Sequence, residues 1–493
     1  MRRPMRCIRN MLAAVAAAAL LLNGCTGKTV SGNLADGEKP AKEVTLNVLA
    51  AGISDAKACR RISELVSQKT RKELGFAVNI EQTDYLSYNE TLSRKILLGN
   101  EPDLFCCVGT QFLLQCIDEK YVNSLGDNID DYRGITRYSP NEVWSCVSIN
   151  GQIYAVPANN GLNYSIGFLA RADIMEALGE NPAAIGSWDG LYALLKKVKQ
   201  YYPEMVPVVS SYGQVHETFG EDPLGDDLGV LIHNSGNRVE NLYSSGEYLG
   251  LCRRMHQWNE EGLIQGNDAV TQDSGEKMMQ IYNGFGFFTR LNDKNVLSAI
   301  RSSGLDLVPI YLGEPIANSS SINFVWCISS DSQYKRQAMK FLELMYSDHE
   351  TADLCIYGEQ DTDYKRIDKD TVTGIQPVPE HAWNAATWAW PNRNVASSWK
   401  LTGQSYVTPA EKGAKRSPAM GFLFNSEPVQ AAVNRCRTVT EKYGRVLTNG
   451  YLDPDEALPR FLNELEEAGI NDVITEKQKQ LDQWMSGPPG AKK

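Results

Sequence analysis

The chain is 493 residues long, enough for two or three domains, and 42% of its residues are hydrophobic, ample for buried cores. Its formal charge is −11, and residues 1–24 hold four arginines and no acids, so the remainder stands near −15. An acidic body of this kind argues against nucleic acid and against anionic partners held by charge alone.

Arg2, Arg3, Arg6 and Arg9 precede an apolar run from Met11 to Leu22. The run is shorter than the roughly 20 residues a spanning helix needs, so residues 1–24 read as a signal peptide. Leu22-Asn23-Gly24-Cys25 resembles the lipobox of bacterial lipoproteins. That resemblance implies a lipid on Cys25 after cleavage. Each buried CH₂ of such a lipid contributes about 0.8 kcal/mol of anchoring. Residues 25–43 are rich in Gly, Lys, Thr and Ser and read as a flexible tether. The expectation is an exported body held on the outer face of the bacterial cell membrane.

From Val44 strand and helix patterns alternate. Strands are expected at Val44–Ala50, Phe76–Gln82 and the nearly all-apolar Asp103–Val108. Helices are expected at Lys57–Lys72 and Tyr88–Leu98. This βαβα order predicts an α/β fold with parallel strands, whose ligands bind beyond the strands' carboxyl ends. The loops Thr83–Tyr85 and Gly109–Gln111 are therefore candidate cleft walls. Next come an Asn150-Gly151 turn, Ile153-Tyr154-Ala155-Val156-Pro157, a strand at Tyr164–Ala170 and a helix from Arg171 to Gly179. A helix opens at Ser187-Trp188-Asp189 and runs through Tyr201, before a strand at Val206–Ser210. Leu249–Glu261 reads as a helix and Gly284-Phe285-Gly286-Phe287-Phe288-Thr289 as a strand. Ser332–Ser347 is helical, Tyr357–Asp370 loop-like, and Glu427–Leu447, Pro454–Ala468 and Asp472–Trp484 are three closing helices. Residues 486–493 form a frayed tail.

The segment from Asn150-Gly151 through Tyr-Ala-Val-Pro to Arg171-Ala172-Asp173, followed by the Gly284–Thr289 strand and Leu305–Ile310, resembles the group 1 extracellular solute-binding proteins of ABC importers. Pro391-Asn392, Gly421-Phe422-Leu423-Phe424-Asn425, Glu427-Pro428-Val429, Glu466–Ile470 and Gln480–Trp484 resemble a narrower set, the LipO-like lipoproteins with their C-terminal domain of unknown function. The resemblance covers nearly all of residues 44–485. It implies a two-lobed, periplasmic-binding-protein-like clamshell, each lobe a mainly parallel sheet flanked by helices. It further implies crossings between lobes near Pro157 and Gly284. Lobe 1 would hold 44–157 and about 284–330, and lobe 2 would hold 158–283 and about 331–485, including the C-terminal helices.

Nine cysteines remain after Cys7 and Cys25, at irregular spacings and mostly among apolar neighbours. They read as small buried hydrophobes, with scattered disulfides as the alternative. The five histidines make no zinc-protease motif: His216-Glu217 and His349-Glu350 lack the second His four residues on. No phosphate-binding loop or nucleophile elbow is present. Asp127, Asp130 and Asp131, like Glu221, Asp222, Asp226 and Asp227, read as solvated acidic loops. No metal, cofactor or catalytic residue is expected.

Aromatic rings interleaved with short polar side chains suit a sugar, whose faces are apolar and whose rim carries hydroxyls. Asn159–Tyr164, Ser319–Trp326 and Trp383–Asn394 have that composition. The candidate ligand-binding residues are Asp84, Tyr85, Thr110, Asn160, Asn163, Tyr164, Thr289, Arg290, Asn323, Trp326, Trp383, Trp388 and Trp390. Trp144, Trp188 and Trp484 read as core. The reading is a monomeric, membrane-tethered protein, not an enzyme, that binds a carbohydrate (an oligosaccharide), delivers it to ABC permease subunits and binds no nucleic acid. The same fold binding a peptide or other polar solute is the second reading, and a glycan-processing lipoprotein enzyme the third.

Overall fold

The computed structural model describes residues 43–137, 139, 141–149, 151–159, 161–209, 220–266, 274–375, 378–399 and 413–486. The signal peptide, Cys25, the tether up to residue 42, Asn150, Asn160, His216 and the tail from 487 lie outside the described residues.

Among the described residues, nine strands build the two larger sheets: β1 (Thr45–Ala51), β2 (Ala77–Thr83), β3 (Leu104–Val108), β4 (Val156–Pro157), β5 (Ser165–Arg171), β6 (Val206–Val208), β7 (Gly284–Leu291), β8 (Leu307–Tyr311) and β9 (Phe324–Ile328). The first sheet has the order β2-β1-β3-β9-β4 and the second β8-β5-β7-β6. Pairing is parallel within β2-β1-β3 and between β6 and β7. It is antiparallel where β9 meets β3 and β4, and along β8-β5-β7. The main helices are α1 (Ala56–Leu74), α2 (Tyr88–Leu97), α3 (Thr110–Asp118), α4 (Trp188–Tyr201), α5 (Gly246–Glu260), α6 (Gly275–Ile281), α7 (Asp293–Ser303), α8 (Lys335–Ser347), α9 (His349–Tyr357), α10 (Gln430–Thr448), α11 (Pro454–Ala468) and α12 (Ile470–Ser486).

Local chemistry explains these elements. Asp55 caps α1 by accepting from the backbone N–H groups of Lys57 and Ala58, and Gly75 ends it at a φ of 80°. Ala58, Cys59, Ile62 and Val66 form its buried face. On the same helix the Ser63 and Ser67 hydroxyls accept from the N–H groups of Ile80 and Val78, at 2.8 and 2.9 Å. Strand β2 is an edge strand, and these serines satisfy the ladder groups that its edge leaves unpaired. Tyr88 opens α2 and donates to the carbonyl of Leu49 at 2.7 Å, tying it to β1.

Each sheet carries its own core, which gives two lobes. The first core joins β1–β4 and β9 to α1, α2, α3, α8 and α9, and includes Trp383 and Trp390. The second sheet buries Phe168, Phe285 and Phe288 on one face with α4 and α5, and Leu169, Phe287 and Leu291 on the other with α6 and α7. Helices α10–α12 close a further core over Leu224–Leu231 and Tyr243–Cys252. All nine described cysteines are buried and none forms a disulfide, as expected of small hydrophobes.

Three expectations are corrected. The Gly284–Leu291 and Leu307–Tyr311 strands pair with β5 in the second sheet, so the return to the first lobe comes between Tyr311 and Phe324, not near Gly284. A Cβ on Gly286 would sit 2.2 Å from the Phe168 ring and 2.3 Å from the Leu169 carbonyl oxygen. Its glycine therefore serves close packing inside that sheet rather than a hinge. Residues 335–375 and 378–399 belong to the first lobe, because Phe341 and Leu342 of α8, Tyr364 and Val372 of the following hairpin, and Trp383 and Trp390 turn into the first core. The stretch 357–370 is not a loop. It ends α9 and enters a hairpin of Tyr364–Asp368 with Thr371–Gly374.

Candidate functional site

A cavity of about 410 Å³ is lined from both lobes. The first lobe supplies Tyr85 after β2, Val108 and Gly109 at the carboxyl end of β3, and Trp388. The second supplies Thr289 and Arg290 near the end of β7, Ser274–Glu276 at the start of α6, and Asn292, Asn295 and Ser298 at α7. Residues 161–164 and 320–324, which carry the chain between lobes, form the floor. In the first lobe the ends of the parallel strands β2 and β3 thus face the space, and in the second it is the end of β7, which there pairs antiparallel with β5. Gly109 makes the turn from β3 into α3 at a φ of 87°, where a side chain would be strained.

The wall is built of rings and small polar groups. Trp388 meets Tyr85 edge-on, with centroids 5.1 Å apart, and Phe324 at 4.5 Å. Across the cavity Tyr164 carries the Arg290 guanidinium 4.6 Å from its ring centroid. Arg290 donates to the carbonyl and the hydroxyl oxygen of Ser320, both at 3.1 Å. The Tyr164 hydroxyl donates to the Asn318 side-chain oxygen at 3.1 Å, which also accepts from the Ser320 hydroxyl at 2.8 Å. Asn292 caps α7 by accepting from the Asn295 N–H at 2.9 Å. Glu276 is half-buried, and desolvation raises its carboxyl above the usual range, with the Asp84 charge adding to the effect.

Of the expected site residues, Tyr85, Asn163, Tyr164, Thr289, Arg290, Asn323 and Trp388 come together on this wall. Asp84 is exposed beside it and caps the turn that carries Tyr85, accepting from the Leu86 N–H at 2.9 Å. Thr110 is buried as the first residue of α3, behind Gly109. Asn160 lies outside the described residues. Trp326, Trp383 and Trp390 belong to the first core, exposed by only 1%, 2% and 2%. Trp326 donates to the Ala389 carbonyl and Trp383 to the Cys355 carbonyl, at 2.9 and 2.8 Å, so both indole N–H groups are used inside the lobe. These three are corrected from ligand contacts to packing.

Sequence reasoning missed Ser274, Glu276, Asn292, Asn295 and Ser298. Asn292, Asn295 and Ser298 recur every three residues, a helix-face spacing. Reading residues 293–303 as a helix following the Gly-Phe strand would have placed them together. Among the described residues no cluster of His, Cys, Asp and Glu is arranged to hold a metal ion. No described helix is long and apolar enough to cross a membrane. The arrangement can stack apolar ring faces and exchange hydrogen bonds with a hydroxylated rim.

Residues 418–486 match the family model described as "Domain of unknown function (DUF3502)". Over 357 residues the chain is 24% identical to the "Carbohydrate ABC transporter substrate-binding protein" of Streptococcus pneumoniae, covering 69% of this chain and 70% of that one. It is similar, with a TM-score of 0.76 at 18% identity, to the N-glycan transport solute binding protein NgtS of the same species in complex with Man1GlcNAc, covering 90% of this chain and 100% of that one. It is also similar to the ABC substrate-binding protein Lmo0181 of Listeria monocytogenes in complex with cycloalternan, with a TM-score of 0.58 at 13% identity, covering 88% and 100%. The likeness to these structures shows the fold, a two-lobed clamshell of the solute-binding type.

Proposed function

We propose that this protein is the solute-binding component of an ABC importer, and that it captures a carbohydrate in the cavity between its lobes. The observation that carries the reading is the wall itself. Trp388, Tyr85 and Phe324 offer ring faces next to Asn163, Asn323 and Asn295. That pairing matches the two chemistries of a sugar, an apolar ring face and a hydroxyl rim. The carbohydrate-transport names of the relatives support the same class. The work done is binding. A ligand that touches both lobes stabilises their closed arrangement by its differential affinity, and the closed form is what a permease reads.

The residues proposed to contact ligand are Tyr85, Asn163, Tyr164, Thr289, Arg290, Asn323 and Trp388. The mature protein is proposed to be a monomer, exported and held by a lipid on Cys25 at the end of its tether. Incubation with a panel of oligosaccharides tests the function. A binder gains about 2.7 kcal/mol of stability when ligand is present at 100 times its Kd. Unchanged sugars with a raised melting temperature support the reading, and new reducing ends identify a hydrolase. Cys25→Ala tests the anchor, because one uncleaved apolar segment of about 12 residues holds a membrane poorly. The variant should leave the membrane fraction or stay unprocessed, and firm retention equal to wild type would refute the lipid.

A further inference from the structure

The crossing segments 161–164 and 312–324 meet side by side. Tyr164 on the first and Ile316 on the second exchange backbone hydrogen bonds, at 3.0 and 2.8 Å. The other edge of Ile316–Ala317 pairs in parallel with Lys415–Arg416. There Lys415 donates to the Pro315 carbonyl and Ser417 to the Ala317 carbonyl, both at 2.8 Å. Residues 315–317 therefore have partners on both edges, and their backbone angles cannot change without breaking a ladder bond. Residues 415–417 lead directly into the core of the closing helices, where Ala419 and Phe422 are buried.

The side chain of Asn234 fastens this ribbon. It is 1% exposed, and its amide nitrogen donates to the Ala317 carbonyl at 3.2 Å and to the Lys415 carbonyl at 2.7 Å. Two carbonyl partners fix which end of the amide faces the ribbon, since an oxygen there would meet two oxygens. The Asn234 backbone sits in the left-handed region, at a φ of 53°, directly after His233 at 57°. Glycine tolerates this conformation best, but of the residues that enter it readily only asparagine brings an amide donor. The His233 ring instead reaches Glu247, at 3.2 Å. Leu231 anchors the turn in the same C-terminal core. An unusual backbone conformation that aims a buried amide at a crossing segment points to a role in the hinge.

We propose, on the capture reading above, that Asn234 is a positioning residue that braces the hinge. It locks residues 315–317 to the C-terminal core, so that these two segments bend on the first-lobe side of the ribbon, within 161–163 and 318–323. Tyr164 then moves with Arg290 and the second lobe, while Phe324 and Trp388 move with the first. The brace narrows the range of lobe angles in the empty protein and so lowers the ordering cost that capture must meet. A restraint of one net hydrogen bond's strength corresponds to about twofold to tenfold in affinity.

The test measures distances across the cavity in the full mature protein, with one spin label on each lobe. Leu97→Cys at the end of α2 and Ile281→Cys at the end of α6 provide the sites, 77% and 54% exposed, while the nine described native cysteines are buried. Asn234→Gly keeps the left-handed turn and removes the two donors. His233→Gly loosens the same turn and leaves the donors in place. Ligand-free Asn234→Gly should give a wider distance distribution than wild type, extended to longer distances, and His233→Gly should match wild type. With mannobiose, N,N′-diacetylchitobiose, cellobiose or maltotriose, whichever wild type binds, Asn234→Gly should reach the wild-type bound distance at the reduced affinity. Superimposable ligand-free distributions in Asn234→Gly and wild type overturn the brace. Equal widening in His233→Gly overturns the assignment to the amide. Widening that persists in the bound protein overturns the hinge role, since the fold as a whole would then be looser. An Asn234→Gly that does not fold overturns it too, because the amide would then hold the fold and not the pivot. If no sugar binds wild type, the carbohydrate reading itself falls, and the ligand-free distances still decide the brace.

Discussion

Replacing Trp388 with Ala should weaken ligand binding while the fold survives, and replacing Trp383 should cost mainly stability. Trp388 is half-buried, in contact with Tyr85 at 5.1 Å and 86° and with Phe324 at 4.5 Å and 45°. Each such aromatic pair contributes about 0.5–1.5 kcal/mol beyond its buried area, so the truncation should lower stability by about 1–3 kcal/mol. A ring stacked on a ligand in a desolvated wall behaves as a binding hot spot, so affinity should fall by about 2 kcal/mol, roughly thirtyfold. Trp383 is 2% exposed, and its indole donates to the Cys355 carbonyl. Its truncation should cost about 3–5 kcal/mol of stability. The orphaned carbonyl should add about 1–3 kcal/mol if water does not reach it. Titration calorimetry with a sugar that binds wild type, and denaturant melts of the same preparations, separate the two quantities. Normal affinity in Trp388→Ala would refute the stacking role. A stable Trp383→Ala with lost affinity would return that residue to the site.

Arg301 on α7 of the second lobe reaches the first, with its guanidinium 4.7 Å from the Trp399 ring centroid and 5.5 Å from that of Tyr357. Burial lowers its pKa to about 10, so it remains charged at neutral pH. Such contacts supply about 1–2 kcal/mol of attraction between lobes. Small-angle scattering of ligand-free Arg301→Ala should therefore give a larger radius of gyration, and an unchanged radius refutes this. Glu261 is held down to about 2, first by Lys196 and then by Gln257 and Tyr192. A carboxyl depressed on folding stabilises the protein above its unfolded pKa, and that contribution is lost as pH falls from about 4.5 towards 2. Melts of Glu261→Gln should accordingly show a shallower loss through that window, and a slope equal to wild type counts against the cluster. Lys477 is fully buried against Asp226, whose carboxyl is raised by burial. Lys477→Met should cost about 3–5 kcal/mol by stranding that acid, and adding Asp226→Leu should restore most of the loss. A single variant as stable as the double would show that the pair carries little.

The periodic parts of the chain were legible because their causes are local. Ile62 and Val66 mark one face of α1, and Leu104 to Cys107 announce a strand covered on both sides. What could not be read was pairing between distant segments. Gly284 to Phe288 looks like a strand in any setting, and only its pairing with β5 and β6 fixes its sheet. The tryptophan-rich stretch misled for a related reason. Its asparagines suggested a wall for hydroxyls, yet Asn392 is 1% exposed, donates to the Tyr346 carbonyl and accepts from the Asn394 N–H. Polar side chains there satisfy buried backbone, and composition alone does not distinguish that use from ligand binding. Trp388 came from the same composition argument, and of that stretch's three candidate tryptophans it is the one on the cavity wall, against Tyr85 and Phe324 from other parts of the chain.

The closing helices bear on the site although none of their residues lines the cavity. Lys477 of α12 pairs with Asp226 and donates to the Gly229 carbonyl at 3.1 Å, which pins the 222–231 segment. That segment carries Asp222, whose carboxylate accepts from the Ser319 N–H at 3.2 Å and from its hydroxyl. The Glu221 carbonyl accepts from the Asn318 side chain at 2.8 Å. Asn318 and Ser320 then hold Tyr164 and Arg290 on the wall. A continuous chain of buried and part-buried polar contacts thus runs from residues 418–486 to the ring and guanidinium that line the cavity. The links through Asp222, Asn318 and Tyr164 are buried, so breaking one of them leaves an unpaired group and loosens the next. A wall that must discriminate between similar polar solutes requires fixed donors and rings, because slack of even one bond length lets the wrong hydroxyl pattern fit. The C-terminal region is on this argument a support of the binding surface, and its sequence is constrained by the geometry of Tyr164 and Arg290 as much as by its own core.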